Sequence, residues 1–255
     1  CQARPRPATS AAGGHVAASS DSPESSMNQV LAMHGWAGHA GQWHHWQNTF
    51  GSLGWTWLAG ERGYTHGPTR MPNWSNTDGQ RMVIAHSLGL HLLPAPVLQQ
   101  ATAVVLLGCF AEFVPKGRAG RAVATGLRGM DSALGTSREA TMLEQFFEKA
   151  ALPLPGSALP ASPLLRGLSS DGRNRLQADL GLLATCRTLP QGWPTQADVL
   201  VVQGEQDAVV PASSCRGLLD ALDRQPHTLH RDPSWGHALI TPAVLSVVIG
   251  WIETR

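Results

Sequence analysis

Ser87 stands where one apolar run ends and another begins, in the stretch MVIAHSLGLHLL from Met82 to Leu93. A strand that ends on a serine and turns at once into a helix holds the hydroxyl on a strained backbone at the edge of a sheet. The residues two before and two after must be small, because strand and helix pack closely there, and here they are Ala85 and Gly89. The pattern favours a nucleophilic serine in a variant of the G-x-S-x-G elbow.

Two further residues could complete a catalytic set with Ser87. Asp207 lies in the segment GEQDAVVP after one predicted strand, and His237 lies in PSWGHALI after the next. A histidine can take the proton of a serine hydroxyl, and a carboxylate can fix the tautomer of that histidine. Taken alone, Asp207 fits a turn aspartate equally well, and His237 fits a surface histidine equally well. Serine, aspartate and histidine in this chain order, however, predict a catalytic triad.

The elements that must position these residues begin with short apolar runs. Six of them, rich in Val, Leu and Ile, predict strands at Val30–Met33, Trp55–Ala59, Met82–Ala85, Ala103–Leu107, Val199–Gln203 and His227–His230. Continuous rather than alternating apolar character is typical of parallel strands covered on both faces. Helices are predicted between them at Trp43–Leu53, Leu88–Leu93, Ser213–Leu222 and Pro242–Ile252. This alternation predicts an α/β fold with a mostly parallel, doubly wound sheet.

Residues 113–195 interrupt the alternation between the fourth and fifth strands. We predict that they form an all-helical lid over the carboxyl ends of the strands, where open α/β sheets bind ligands. Two amphipathic helices are predicted in it, Ser137–Leu152 and Asp171–Arg187. The α/β core then comprises residues 27–112 and 196–255. The Ala/Ser/Pro/Gly-rich residues 1–26 are predicted to form a disordered tail.

The lid differs from the rest of the chain in charge. Residues 113–195 contain ten Lys or Arg and six Asp or Glu residues, whereas the whole chain has a net charge of only +1. A solvated helical surface and a docking face for an acidic partner both account for this excess.

Composition limits the class of protein. A length of 255 residues with 42% hydrophobic residues suits one soluble domain with an insertion. No run approaches 18 uninterrupted apolar residues, so no membrane span is predicted. The four cysteines are widely spaced, which argues against a zinc site or a disulfide framework and suits the reducing cytoplasm. Neither a nucleic acid nor a membrane is an expected partner, and we expect a monomer.

Taken together, these motifs resemble the α/β-hydrolase superfamily over essentially all of residues 27–255. Within it, the chain is most similar to the pimeloyl-[acyl-carrier-protein] methyl ester esterases of biotin synthesis. The stretches that carry this likeness are LAMHGWAGHAGQW, AHSLGLHLL, LLGCFAEFVP, DLGLLATCRTLPQGWPTQADVLVVQGEQDAVVP and WGHALITPAVL. The elbow and triad are specific to the superfamily, whereas GCF and GLLATCR are moderately specific to the esterase.

The resemblance implies a serine carboxylesterase that forms an acyl-enzyme at Ser87 and needs no metal or organic cofactor. It also implies that the backbone N–H of Trp36, in the HGWAG loop after the first strand, joins that of Leu88 in an oxyanion hole. His34 would help to shape this loop. Trp36, Leu88 and Phe110 are the residues predicted to contact the substrate.

The implied substrate is a methyl ester on an acyl chain carried by acyl carrier protein, an acidic partner that arginines of the lid would bind. The candidates for this docking role are Arg118, Arg121, Arg138, Arg173 and Arg175. Two alternatives are a small-molecule carboxylesterase or thioesterase, and a non-catalytic binding protein of the same fold. The chain also departs from the family pattern, since the tail supplies no further strand before the first one and residues 64–81 leave little room for a helix.

Overall fold

The computed structural model describes residues 1–2, 27–76 and 78–255, so the predicted disordered tail lies almost entirely outside the described residues. Six strands form one sheet in the order β2-β1-β3-β4-β5-β6, and every neighbouring pair is parallel. The strands are β1 (Gln29–Met33), β2 (Thr56–Ala59), β3 (Arg81–His86), β4 (Ala103–Leu107), β5 (Asp198–Gly204) and β6 (His227–Asp232). The predicted six-stranded sheet is confirmed, and it is parallel throughout.

Helices cover both faces of this sheet. Five of them belong to the α/β core: α1 (His44–Ser52), α2 (Gly89–Leu92), α3 (Ala95–Gln99), α7 (Ala212–Ala221) and α8 (Pro242–Glu253). In β1, Val30 and Ala32 pack with α1 and α8, whereas Leu31 and Met33 pack with α2, α3 and α7. Successive side chains of a strand point to opposite faces, so an apolar strand fills two cores at once. The sheet is therefore doubly wound, as predicted.

The helix after Ser87 is shorter than predicted. It ends at Leu92, and Leu93 has an extended ψ of 137°. A proline disfavours the helical conformation of the residue before it, and Pro94 follows Leu93 directly. The chain then restarts as α3, with Pro96 in its first turn. The LPAP sequence thus ends the predicted helix, and α3 is a further short helix that the sequence did not predict.

The lid contains three helices rather than the predicted two. They are α4 (Gly117–Ala133), α5 (Glu139–Ala151) and α6 (Ser170–Thr185), all between β4 and β5. Helix α4 was not predicted because it contains four glycines, which are poor helix formers. Packing overrides that weakness, because Leu127 of α4 is buried in the same core as Leu176, Leu180 and Leu183 of α6.

The connection from β2 to β3 has no helix among its described residues, as the short, proline-rich sequence predicted. It instead forms an isolated antiparallel bridge between Glu61 and Arg70. Gly63, between the bridged residues, adopts a positive φ of 65°. The connection packs against α6: a Cβ placed on Gly172 would lie 1.8 Å from the carbonyl oxygen of Tyr64. Among the described residues, no helix is both long and apolar enough to cross a membrane.

Candidate active site

Backbone hydrogen bonds continue past the strand ends and hold the following loops in register. The N–H of Ser87 donates to the carbonyl of Leu107 at 2.9 Å, and that of Gly108 donates to Val202 at 3.0 Å. Because all strands are parallel, the loops after β3, β4, β5 and β6 leave the sheet at the same edge. The predicted positions of serine, aspartate and histidine all fall in these loops.

Ser87 has the strained backbone that the elbow requires. Its φ is 55°, in the left-handed region that costs energy for a residue with a side chain. A Cβ at Gly89 would lie 2.3 Å from the carbonyl oxygen of Met33, so only glycine lets α2 approach β1. Ala85 is fully buried. The small residues on either side of the serine thus permit the sharp turn.

Asp207 and His237 form a buried hydrogen-bonded pair. The imidazole Nδ1 donates to Oδ2 of the carboxylate at 2.8 Å. The other oxygen, Oδ1, accepts the backbone N–H groups of Val209 at 2.7 Å and Val210 at 2.8 Å. Burial by itself would raise the pKa of Asp207, but His237 and these two N–H groups lower it below its usual value. An ionised Asp207 therefore orients the imidazole with its proton on Nδ1.

Gly108, at the end of β4, lies where the loops meet. A Cβ on Gly108 would lie 3.6 Å from both Asp207 Oδ2 and His237 Nδ1. The residue before it, Leu107, accepts the N–H of Ser87. A side chain would fit at these distances, so glycine is favoured here by its positive φ of 55°, at a turn that lies beside all three residues of the predicted triad.

His86 connects the elbow to the histidine loop. Its Nε2 donates to the backbone carbonyl of His237 at 2.9 Å, and the two ring centroids lie 4.9 Å apart. Burial and the neighbouring His237 ring lower the pKa of His86 to about 3. His86 is therefore neutral near pH 7, and its contact joins the residue before Ser87 to the backbone of His237.

The HGWAG loop after β1 lies against the elbow. A Cβ on Gly35 would lie 2.9 Å from the Cβ of Ser87, so the loop and the serine are in close contact. The indole N–H of Trp36 donates to the carbonyl of Leu176 in α6 at 2.9 Å. Its ring meets Phe146 of α5 edge-on, with centroids 4.7 Å apart. The lid thus contacts the predicted oxyanion loop directly.

A cavity of about 430 Å³ borders Ser87. This volume lies within the range of roughly 300–1,000 Å³ that is typical of small-molecule sites. Trp36 and all three lid helices contribute to its wall, which is largely apolar and includes Leu127, Met142 and Phe146. Lys149 of α5 is the one charged side chain in that wall. The lid therefore forms the roof of the space in front of the serine.

Phe110, predicted to contact the substrate, lines neither this cavity nor the larger one described below. Its side chain is fully buried and stacks on His91, with centroids 5.4 Å apart. Phe113 lines the Ser87 cavity instead. The sequence predicted that the loop after β4 lies near the cavity. Which of its two phenylalanines faces the cavity depends on side-chain packing.

A second cavity of about 890 Å³ lies on the other side of α5. Phe147 and Glu148 of α5 line it, together with His86 at the end of β3 and Leu239 from the loop that carries His237. The helix therefore separates two spaces. Gln145, Phe146 and Lys149 face the smaller one, whereas Glu144, Phe147 and Glu148 face the larger. Ser87 borders only the smaller cavity.

A buried carboxylate that the sequence analysis did not single out fastens α6 to the core. Asp179 is 3% exposed and accepts from the Arg62 guanidinium at 2.9 and 2.6 Å and from the Tyr64 hydroxyl at 2.6 Å. Burial and the charge of Asp179 raise the pKa of Tyr64 well above its ordinary value, so its hydroxyl stays a donor. The sequence signal that could have pointed to this ion pair was the polar GERGYTHG segment directly after the second predicted strand.

Replacing Asp179 with alanine is expected to lower the free energy of unfolding by about 3–5 kcal/mol, because it leaves the Arg62 charge partly buried without its partner. Chemical denaturation at neutral pH measures the change. Asp171→Ala on the same helix is the control, since its side chain is 77% exposed and its pair with Arg175 is an exposed i,i+4 contact. The control should lose no more than about 0.5 kcal/mol. Equal losses in the two variants would contradict an anchoring role.

The five arginines predicted to dock a partner fall into two groups. Arg118, Arg121 and Arg138 are exposed. Arg173, in contrast, binds Glu139 in a two-pronged ion pair with distances of 2.5 and 2.9 Å. Arg175 donates to the backbone carbonyl of Gly63 at 2.8 Å. These last two side chains are occupied in holding α6 to α5 and to the core.

The comparisons with known proteins identify the fold. No protein-family model and no curated protein matches the sequence. Among solved structures, the chain is similar to the esterase EaEST from Exiguobacterium antarcticum, with 16% identity over 89% of this chain and 92% of that one and a TM-score of 0.65. It is also similar to a structure from a study of carboxylesterases of Nitrososphaera gargenis, with 13% identity over 89% and 90% of the chains and a TM-score of 0.61.

A third similar structure comes from a study of epoxide hydrolases in metagenomes from hot environments. It shares 17% identity over 90% of this chain and 92% of that one, with a TM-score of 0.62. Likenesses at such low identity are informative about the fold. Together with the parallel sheet and the inserted helices, they show that the chain has the α/β-hydrolase fold, as predicted.

Proposed function

We propose that the protein is a serine hydrolase that cleaves carboxylic esters, with Ser87, His237 and Asp207 as its catalytic triad. The observation that carries this proposal is the convergence of a strained serine with a buried aspartate–histidine pair at one edge of the sheet. A binding protein without catalytic activity has no need for either feature. The esterase and hydrolase neighbours add support, although a shared fold by itself does not fix an activity.

In the proposed reaction, His237 Nε2 takes the proton of the Ser87 hydroxyl as its oxygen attacks the ester carbonyl. The negative charge that develops on the carbonyl oxygen is stabilised by the backbone N–H groups of Trp36 and Leu88. His237 then gives its proton to the departing alcohol, and the acyl group stays on Ser87. Asp207 stabilises the imidazolium and keeps Nδ1 protonated throughout.

Hydrolysis of the acyl-enzyme repeats these steps with water in place of the serine. His237 takes a proton from the water as it attacks, and returns that proton to the Ser87 oxygen as the acid leaves. The acyl chain is assigned to the cavity of about 430 Å³, because Ser87 borders that cavity and its wall is largely apolar. The expected kinetics are ping-pong.

For the substrate, we propose the methyl ester of pimeloyl-acyl carrier protein in biotin synthesis. The sequence likeness to the esterases of that pathway supports this choice. A second support is the exposed basic side of α4, where Arg118, Arg121 and Arg128 project within an arc of about 80° if each residue turns the helix by 100°. An acidic carrier protein would complement this side. The comparisons with solved structures do not indicate the substrate.

Reversing charge on α4 tests the docking surface. We expect Arg118→Glu combined with Arg121→Glu to lower kcat/KM on the carrier-bound methyl ester about tenfold or more, since each exposed charge pair contributes roughly 0–1 kcal/mol. Activity on a free short-chain ester should stay unchanged. Arg166→Glu, an exposed arginine of the lid outside α4, is the matched control.

The outcomes of that test distinguish the proposed carrier-bound substrate from the proposed esterase activity. Equal losses on both substrates would indicate a damaged lid rather than a docking site. If kcat/KM falls on neither substrate, and the carrier-bound ester is hydrolysed no faster than the free one, the protein is a small-molecule esterase and the carrier proposal fails. The carrier preference should also weaken at high salt, because exposed charges are screened.

A further inference from the structure

His34 is a buried histidine whose two ring nitrogens are both engaged in the predicted oxyanion loop. It follows β1 directly and is fully buried. Nδ1 lies 2.9 Å from the carbonyl oxygen of Gly35, which can only accept, so Nδ1 carries a proton. Nε2 lies 3.3 Å from the backbone N–H of Arg62, which can only donate, so Nε2 accepts. The two contacts together define one tautomer.

The carbonyl that His34 holds belongs to the same peptide group as the Trp36 N–H. A peptide group is planar and trans, so its C=O and N–H point in opposite directions. Fixing the Gly35 carbonyl against the imidazole therefore also fixes the direction of the Trp36 N–H, away from the ring. The next residue, Ala37, has a positive φ of 57°, and the strained turn begins there.

The glycines of the loop allow it to approach both His34 and Ser87 closely. A Cβ on Gly38 would lie 2.9 Å from both Cβ and Nδ1 of His34, so the loop wraps closely around the ring. A Cβ on Gly35 would lie 2.9 Å from the Ser87 Cβ on the other side. The Gly35–Trp36 peptide is thus confined between the imidazole of His34 and the serine.

We infer that His34 is a positioning residue that orients the Trp36 N–H toward the oxyanion. We further infer that Arg62 connects this orientation to the lid. The inference rests on the proposed function. Arg62 gives its backbone N–H to His34 and its guanidinium to Asp179 of α6. The Trp36 indole donates to Leu176 of the same helix. Helix α6 therefore holds both the residue that supplies the N–H and the residue that orients it.

Glu61 fixes the two backbone segments that meet at His34. Its carboxylate accepts the N–H of Ala40 at 2.8 Å from the oxyanion loop and the N–H of Gly63 at 2.8 Å from the connection after β2. The carboxylate lies 3.7 Å from His34 Nε2, too far for a hydrogen bond, which agrees with Nε2 accepting from Arg62. The loop, the imidazole and the Arg62–Asp179 anchor of the lid are thus connected by one set of hydrogen bonds.

Two substitutions of His34 test this role with a small activated ester, 4-nitrophenyl butyrate. His34→Leu removes both contacts and should lower kcat about 10- to 100-fold. This decrease is no larger than the one that follows removal of a whole oxyanion donor. KM should change less than about twofold. His34→Asn can still donate from its amide nitrogen to the Gly35 carbonyl, and should recover most of kcat. Affinity for a trifluoromethyl ketone, which binds as an oxyanion, should fall by the same factor as kcat.

His91→Leu is the matched control, because His91 also donates to a backbone carbonyl, that of Phe110, but away from the oxyanion loop. It should change the unfolding midpoint without changing kcat. If His34→Leu behaves like this control, or His34→Asn is as impaired as His34→Leu, the inference fails while the esterase assignment stands. If wild type hydrolyses no ester and Ser87 is not labelled by a fluorophosphonate, both fail together.

Should His34→Leu not fold, nitrogen-15 NMR of the wild-type imidazole provides an independent test. A proton on Nδ1 at neutral pH supports the inference. A proton on Nε2 alone overturns it, because Nδ1 could then not donate to Gly35.

Discussion

Replacing Ser87 with alanine is expected to lower kcat for ester hydrolysis about 10⁴- to 10⁶-fold, the scale seen when a nucleophile is removed from a serine hydrolase. Alanine has no oxygen to attack the carbonyl, so the acyl-enzyme cannot form and only stabilisation by the oxyanion donors remains. Covalent labelling by a fluorophosphonate should disappear in the same variant. Hydrolysis of 4-nitrophenyl butyrate and mass spectrometry of the labelled chain measure both effects.

Ser234→Ala is the control for this experiment. Ser234 lies in the turn before His237, is exposed and donates only to Asp232, so its loss should leave both activity and labelling unchanged. Full activity in Ser87→Ala would refute the triad. Labelling of wild type without turnover of any ester would instead point to a reactive serine in a binding protein. Circular dichroism should show the same fold in all three proteins.

Replacing Asp207 with asparagine is expected to lower kcat about 10⁴-fold, while KM changes little. The asparagine amide can occupy the same space, but facing Nδ1 it would donate rather than accept. The imidazole would then carry its proton on Nε2 and could not take the proton of Ser87. Because the pKa of Asp207 lies below its usual value, the wild-type carboxylate is ionised throughout the neutral range, so the defect should persist across that range.

Glu205→Gln is the matched control, since Glu205 is an exposed carboxylate in the same turn, two residues before Asp207. It should keep nearly full activity. A similar loss in both variants would show that the turn, not the contact with His237, was disturbed. A loss of less than about tenfold in Asp207→Asn would place the carboxylate outside the catalytic set.

Both predictions depend on loops held by a rigid sheet edge. Strands β1, β3, β4 and β5 are largely buried and pair with a neighbour on both sides. The edge strand β6 is more polar and exposed, but it pairs with β5 along its whole length. The loops that carry Ser87, Asp207 and His237 begin from the ends of these strands, and bonds such as Ser87 to Leu107 extend the pairing beyond them. Such a scaffold can hold catalytic groups in a fixed geometry without substrate.

The lid takes part in the same arrangement and does not simply cover it. Asp179 binds Arg62 and Tyr64, and the Trp36 indole binds Leu176, so α6 is fastened to the β1 and β2 loops. Loss of Asp179 should therefore affect the oxyanion loop as well as stability. The helices α4 and α5, which form most of the cavity wall, have no comparable buried ion pair to the core among the described residues.

Much of this molecule was already determined by local sequence. The apolar runs that became β1, β3, β4 and β5, and their alternation with helices, predicted the parallel sheet, because a strand buried on both faces has to be largely apolar. The edge strand β6 is polar and mostly exposed, so this reason does not apply to it. The serine between Ala85 and Gly89 gave the elbow, because close packing of strand and helix excludes larger residues there. Such signals depend on neighbours within a few residues, so one sequence suffices to read them.

Other features were decided by tertiary structure alone. Helix α4 forms in spite of its glycines because the core beneath it buries Leu127, and Phe113 rather than Phe110 faces the cavity because of how the two rings pack. The partners of Asp179 lie 115 and 117 positions away in the chain. Arg173 and Arg175, which read as free surface charges, are held by internal contacts. Which long-range polar groups meet depends on the positions of whole elements, and no local pattern carries that information.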